Sequence, residues 1–283
     1  MRGACVFCQK VGKLTLEHKF PKWVRAEMPP QPKKHHYRDT HTEFNDQQLK
    51  RSFTNERWVK RPLIDVQLPI ACGACNNGWM SRLQTAMKPI MIPMIRGQPV
   101  SLDAHSMEIA TAWMAMATMV GEYSSPSTTI AIPQRDRTTL QQHCEHGSPL
   151  DLPGWQMALG RYVGQELDNP THRRYRYPLT PNGSAQATTF RFGELMLVAH
   201  SGVGQLDGLV DLLADAPHRV ALCRVYPAES PITWPPSVWV HDQLADEVIF
   251  RIRHALERGV RYGIPSFLFA GQYFARERYG FAG

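Results

Sequence analysis

Two Cys-x-x-Cys pairs, Cys5/Cys8 and Cys72/Cys75, constrain this chain more than any other feature. Four thiolates at about 2.3 Å from a tetrahedral zinc make a closed structural site. The pairs are separated by residues 9–71, far more than a compact zinc ribbon uses. The chain must therefore leave the metal, build something, and return. A redox Cys-x-x-Cys needs a single pair beside a βαβ unit, and no such rhythm is found here. A disulfide scaffold is not suggested either, because "MRGACVFCQKVGK" has charges where a secretory leader needs an apolar core. Cys144 and Cys223 stand alone and read as small packing residues, Cys223 within the strand-like "RVALCRVYP".

Hydrophobic patterning divides the chain at about residue 98. In residues 1–98 the alternation in "KLTLEH" predicts a strand, and "LIDVQLPIA" predicts another. Between them lies an insertion at about 25–61 whose "MPPQPKKHHYRD" reads as a loop. Trp79, Met80, Leu83 and Met87 recur at helical spacing after the second knuckle, predicting a helix that ends before Pro89 or Pro93. "RGQPVSLDAHS" reads as a linker. In residues 99–283, "MEIATAWMAMATMVGEY" predicts a helix buried all round. The patterning then predicts a strand at "TTIAIP", a helix ending at Gly147, a strand at "WQMALGRYV", one long strand at "ATTFRFGELMLVAHS" and one at "RVALCRVYP". A last helix follows, with Asp242 as N-cap, Leu244, Val248, Ile252 and Leu256 on one face, and Gly259 as terminator. The fold class is α+β, with a mainly antiparallel sheet in the second domain. "GVGQLDG" lacks the strand–turn–helix context of a nucleotide loop.

Charge is divided as unevenly as pattern. Residues 1–100 carry 17 of the 32 basic and 7 of the 25 acidic residues, a net +10, and the remainder is −3. A basic N-terminal part suits a polyanionic partner, with a solvated basic face as the plainer alternative. No apolar run reaches the roughly 20 residues of a membrane span. The sequence is thus read as a soluble, cytoplasmic protein without a membrane partner.

The residues flanking the cysteines decide what a zinc clamp would be for. Glu17-His18 closes the first strand, and Asn76-Asn77 follows Cys75 at the start of the helix. A clamp that joins strand end to helix start brings them into one cleft. There Glu17 and Asn76 offer oxygen ligands to a hard divalent cation, and His18 offers a base to a water. Phosphodiester hydrolysis needs those elements. Lys19, Lys22, Arg25, Lys33, Lys34 and Arg82 are the candidates for holding a phosphate backbone.

Taken together, "CVFC…LTLEHKFPKW…VQLPIACGACNN" resembles the HNH (His-Me finger, ββα-metal) endonuclease family in its zinc-clamped form. The resemblance covers residues 1–85. It implies Cys5, Cys8, Cys72 and Cys75 as ligands of a structural Zn2+. It also implies Glu17 and Asn76 as ligands of a catalytic Mg2+, Mn2+ or Ni2+, His18 as general base, and DNA as substrate. Pro21 matches the family proline three residues after the histidine. The middle family asparagine, whose carbonyl orients the histidine, falls on Gln67, which makes the same bond through a longer arm. Asn55, His35 and His36 are the other residues able to take that role.

Other motifs are weaker. Trp23 and Trp79 read as core rather than as base-stacking platforms. His143, Cys144 and His146 lack a partner cluster for a second metal. "HRRYRY" (His172–Tyr177) alternates arginine with aromatics, which suits single-stranded nucleic acid as well as it suits a charged edge strand. Two function classes remain open. One is a metal-dependent DNA endonuclease whose second domain supplies specificity, sensing or homo-oligomerisation, an arrangement that suits restriction or phage defence. The other is a zinc-stabilised nucleic-acid-binding or regulatory protein on an uncutting HNH scaffold.

Overall fold

In the computed structural model of the chain, residues 1–28, 35–45, 48–59, 65–124, 130–164, 171–176, 184–202, 216–228 and 231–241 are described, with 35–45, 48–59 and 171–176 described by their backbone. The expected final helix from Asp242 to Gly259, "GVGQLDG" from Val203 onward, and Lys33 and Lys34 lie outside them. The described residues form a mixed α+β structure in which every strand ladder is antiparallel.

The N-terminal elements run in the expected order. Strand β1 (Arg2–Ala4) leads through the first knuckle into β2 (Val11–His18) and the short helix α1 (Lys22–Glu27). Strands β3 (His35–Asn45) and β4 (Gln48–Val59) follow, then β5 (Gln67–Cys72). β1, β2 and β5 form one three-stranded sheet, and β3 and β4 form a separate two-stranded ribbon. His35 and His36 thus begin a strand, not the expected loop. The run "HHYRDTHTEF" has the β-branched and aromatic content of a strand once the prolines before it are set aside.

Beyond β5 the chain makes one helical turn (Gly73–Cys75), a wider π-type turn (Asn76–Met80) kinked at Gly78, and helix α2 (Ser81–Ile95). Both Pro89 and Pro93 lie inside α2, where a stop is expected. They stand four residues apart, so their missing N–H groups fall on one side of the helix. Met87, Met91 and Met94 are buried among the core residues, which holds the helix together across the two gaps.

The supposed linker is structured. Arg96 pairs with Glu27 at 2.7 Å, strand β6 (Val100–Leu102) forms next, and Asp103 accepts from the Ser106 amide to cap helix α3 (Ala104–Gly121). As expected, α3 is buried on nearly every side. Helix α4 (Gln134–His146) ends at Gly147 in the left-handed region, as its sequence predicts. "TTIAIP" forms no strand over its described residues, 130–133. Instead the amides of Ala131 and Ile132 donate to Glu122, a fully buried carboxylate that also pairs with buried Arg137. That side chain takes the place a strand partner would fill.

Strands β7 (Trp155–Arg161), β8 (Thr171–Arg176), β9 (Ser184–Phe192) and β10 (Leu195–Gly202), helix α5 (Ala216–Ala221) and strands β11 (Leu222–Tyr226) and β12 (Ile232–Trp234) complete the fold. The main sheet has the order β11-β7-β10-β9-β8, and β12 pairs with β6. "ATTFRFGELMLVAHS" is a hairpin, not one strand. It turns at Gly193, whose φ of 54° suits glycine and where a Cβ would meet the Ile95 carbonyl oxygen at 2.5 Å. Residues 216–221 of "RVALCRVYP" and its approach are helical, so only its second half is strand. The apolar core does not stop at residue 98. Phe20 packs edge-on against Phe190 and Phe192, and Gln9 of the first knuckle bonds Gln134 at the start of α4.

One core residue makes stability depend on pH. His200 on β10 is 1% exposed, and its Nδ1 donates to the Gln186 carbonyl at 2.9 Å. Burial pushes its pKa down to about 4 from 6.5. The unfolded chain then binds a proton that the folded chain refuses. Stability is expected to fall as pH drops from about 6.5 towards 4, by on the order of 3 kcal/mol. Melting temperature measured against pH checks this, and His200→Gln should flatten that part of the curve. An unchanged slope in the variant removes His200 as the cause.

Candidate metal clamp and catalytic cleft

The two knuckles meet. The four sulfurs of Cys5, Cys8, Cys72 and Cys75 all lie within 4.8 Å of one another, and the Cys8 and Cys72 sulfurs are 3.7 Å apart. A tetrahedron with 2.3 Å metal–sulfur bonds has edges of about 3.8 Å, so the group fits a metal such as zinc. Burial pushes the Cys75 thiol up, with Cys5 adding to the effect, so holding thiolates here calls for a cation. It is the one such group among the described residues; His143, Cys144 and His146 do not join another. Trp79 is buried edge-on against Phe7, 5.0 Å between ring centres, and Trp23 packs against the core. Both are structural, as expected.

The strand register beside the four-cysteine group brings the other candidate residues together. Leu14 stands opposite Cys72, and following the ladder past a bulge at Thr15/Leu16 puts His18 opposite Gln67. Side chains directly opposite on one face lie about 5 Å apart at Cβ, within reach of a glutamine arm. The Gln67 amide nitrogen is 2.6 Å from His18 Nε2. When that nitrogen donates, Nδ1 carries the ring proton; turning the carboxamide over lets its oxygen accept from Nε2–H and leaves Nδ1 basic. In both cases Gln67 engages Nε2, and Nδ1 has no hydrogen-bond partner among the described residues. Burial and the Lys22 charge hold the His18 pKa below the ordinary histidine value, and Asp65 pulls it back.

Asn76 reaches the same strand end from the helical side. Its Nδ2 donates to Thr15 Oγ1 at 2.9 Å and to the Leu16 carbonyl at 3.4 Å, at the bulge. Thr15 Oγ1 donates onward to the Ala71 carbonyl at 2.8 Å. The amide nitrogen is thereby used, and the Asn76 carbonyl oxygen is the atom left for a ligand. Glu17 is 4% exposed and accepts from Gln84 Nε2 at 3.0 Å. Burial raises its pKa to about 7, opposed by the Gln84 bond. Glu17 and Asn76 make no hydrogen bond to each other, each being held by its own neighbour.

The expected phosphate-holding residues divide. Lys22 is exposed at the start of α1, beside His18. Arg25 pairs with Asp65 at 2.7 Å, and Arg82 is exposed on α2. Lys19 differs from the others: it is 6% exposed, its ammonium lies 5.7 Å from the centre of the Phe20 ring, and burial pushes its pKa down to about 8. An amine enclosed in this way is poorly placed to hold a backbone phosphate. Asn55 stands opposite Asp39 in the ribbon, and Gln67 holds the position beside His18. Sequence reasoning missed Thr15, Asp65 and Gln84. Gln84 carries a faint signal, being the polar residue next to Leu83 on a helix whose apolar face the spacing marks.

No protein-family model matches the chain, and no curated protein or solved structure matches it either. Among the described residues no helix is long and apolar enough to cross a membrane.

Proposed function

We propose that the chain is a metal-dependent endonuclease that hydrolyses DNA phosphodiester bonds at the end of β2, with a zinc-clamped ββα-metal unit as its catalytic part. The observation that carries this reading is the His18–Gln67 pair, set across two strands at the point where the four-cysteine group ties down the Asn76 turn. Zn2+ at the four cysteines is structural in this reading. Glu17 and the Asn76 carbonyl oxygen would hold Mg2+, Mn2+ or Ni2+. When bound, that cation supplies charge to stabilise the pentacoordinate phosphorus and the leaving oxygen. With the Gln67 carboxamide oxygen accepting from Nε2–H, His18 would accept the proton of the attacking water at Nδ1, while Gln67 fixes the imidazole plane. Lys22 offers a positive charge next to the base, where a phosphate would sit.

A second reading, a nucleic-acid-binding protein that does not cut, is favoured by the burial of the Glu17 carboxyl. A cation ligand needs an open side, and Glu17 would have to give up part of its enclosure. Nicking of supercoiled plasmid, with Mg2+, Mn2+ or Ni2+ and with EDTA, separates the two. Cutting that needs a divalent cation is expected. Retained DNA binding with no cutting in any of the three metals would leave the second reading standing.

A further inference from the structure

We propose that the four-cysteine group is also a redox site, in which a hydroperoxide joins Cys8 to Cys72 as a disulfide and zinc is released, a role that rests on the structural-zinc reading above and not on cutting. The Cys8 and Cys72 sulfurs are 3.7 Å apart, and one comes from each knuckle. Exposure divides the group along the same line. Cys5 and Cys75 are 0% and 2% exposed, whereas Cys8 and Cys72 are half-buried and open to a small solute. Each Cys-x-x-Cys pair thus has one enclosed and one accessible sulfur, and the two accessible ones are neighbours across the site.

Access decides the fate of a thiolate. A cation keeps the thiols that coordinate it deprotonated, and a thiolate within reach of solvent is the form that oxidants attack. An enclosed cysteine is inert by comparison. The two cysteines outside the group do not compete: burial pushes the Cys144 thiol up to about 12 and the Cys223 thiol up to about 11, so neither is a thiolate at neutral pH.

The step balances with the hydroperoxide as oxidant. One of the two sulfurs attacks the terminal peroxide oxygen, the O–O bond breaks, and the other oxygen leaves as an alcohol, or as water from hydrogen peroxide. A sulfenic acid remains. The second sulfur attacks the first, the S–O bond breaks, and the oxygen leaves as water. Each leaving oxygen takes a proton from solvent. The two sulfurs give up two electrons and the peroxide gains them. Cys5 and Cys75 are then half of the donor set that closes a tetrahedral site, and zinc is no longer held.

The new bond ties knuckle to knuckle where the metal did. Cys8 sits in a turn fixed by the Cys5 amide, which donates to the Lys10 carbonyl at 3.0 Å, and by the Gln9 amide, which donates to the Cys5 carbonyl at 2.9 Å. Cys72 ends β5 opposite Leu14. A cross-link from residue 8 to residue 72 restricts the unfolded chain, but it replaces only part of what zinc contributes. The melting temperature is therefore expected to be highest for zinc-loaded protein, lower for oxidised protein, and lowest for reduced protein stripped of zinc.

The test treats full-length, zinc-loaded protein with hydrogen peroxide, follows released zinc with a chromogenic chelator, and maps disulfides by mass spectrometry of non-reduced peptides. One zinc should leave for each Cys8–Cys72 bond formed. A phosphine reductant with added Zn2+ should restore both the metal and the melting temperature. Cys144→Ser/Cys223→Ser protein should release zinc at the wild-type rate; slower release in that variant would overturn the proposal by moving the reaction to a distant thiol. A bond joining Cys5 to Cys75, or joining the two cysteines of one knuckle, would also overturn it. So would zinc that stays bound after the peroxide is consumed, or oxidised protein that melts no higher than the stripped, reduced form. Protein that takes up no zinc yet forms the Cys8–Cys72 bond would remove the zinc reading and not the pairing. No readout involves DNA, so a failure of the nuclease reading leaves this result as it stands.

Discussion

Cys72→Ser is expected to leave the N-terminal unit unfolded, with loss of one bound zinc per chain. Zinc at a four-cysteine site contributes apparent free energy of about 10–16 kcal/mol in small zinc-dependent units, as much as the whole stability of an ordinary domain. The sheet end of the unit depends on it most. β1 is three residues long, β2 exposes Val11 and Leu16, and the buried cluster around Phe7, Ile70 and Trp79 is built directly on the knuckles. The damage should also spread. Gln9 and the Phe7 carbonyl bond Gln134, and Phe20 packs on Phe190 and Phe192, so part of the main core loses a wall. Metal content by mass spectrometry, near-ultraviolet circular dichroism and thermal melting read the effect. Cys223→Ser, away from the clamp, is the matched control and should cost far less. A soluble Cys72→Ser protein that melts where the wild type does would end the structural-zinc proposal.

The parts legible in the sequence are those where one residue type carries one physical demand. Paired cysteines have few uses, and the four sulfurs gather where the spacing places them. The first half of β2 alternates between exposed and half-buried positions, so its period shows. The β9–β10 hairpin is buried on both faces, which erases the alternation, and only Gly193 marks its turn. Pro89 and Pro93 mislead because buried methionines keep α2 together. Glu122 is hardest to foresee: a carboxylate beside an apolar helix looks like a helix end, whereas it serves as hydrogen-bond partner for a distant extended segment. In the cleft, His18 and Asn76 stand where their position beside the cysteines leads. Gln67 is legible as a partner of His18 only through the family resemblance, since periodicity alone does not give the register that brings the two together. Thr15 is invisible without the way the helical turn meets β2, and Gln84 nearly so.

His18→Ala is expected to lower the cutting rate by about 10²–10⁴-fold, the usual contribution of a positioned base. The loss should fall on the rate and not on DNA affinity, because His18 is half-buried and its Nε2 is already engaged by Gln67. Gln67→Ala should then produce a smaller loss, on the order of 10²-fold at most, since it removes orientation and leaves the base. Gln67→Asn separates orientation from mere packing. Its carboxamide keeps the chemistry on a shorter arm, and across a cross-strand gap that a glutamine spans at 2.6 Å it should recover only part of the rate. Single-turnover nicking at saturating protein, together with binding in EDTA, measures both effects. Equal rates for wild type and His18→Ala would take His18 out of the mechanism. A Gln67→Ala loss as deep as the His18→Ala loss would mean that the glutamine does more than aim the ring. The pair, and not the histidine alone, is therefore what the kinetics must dissect.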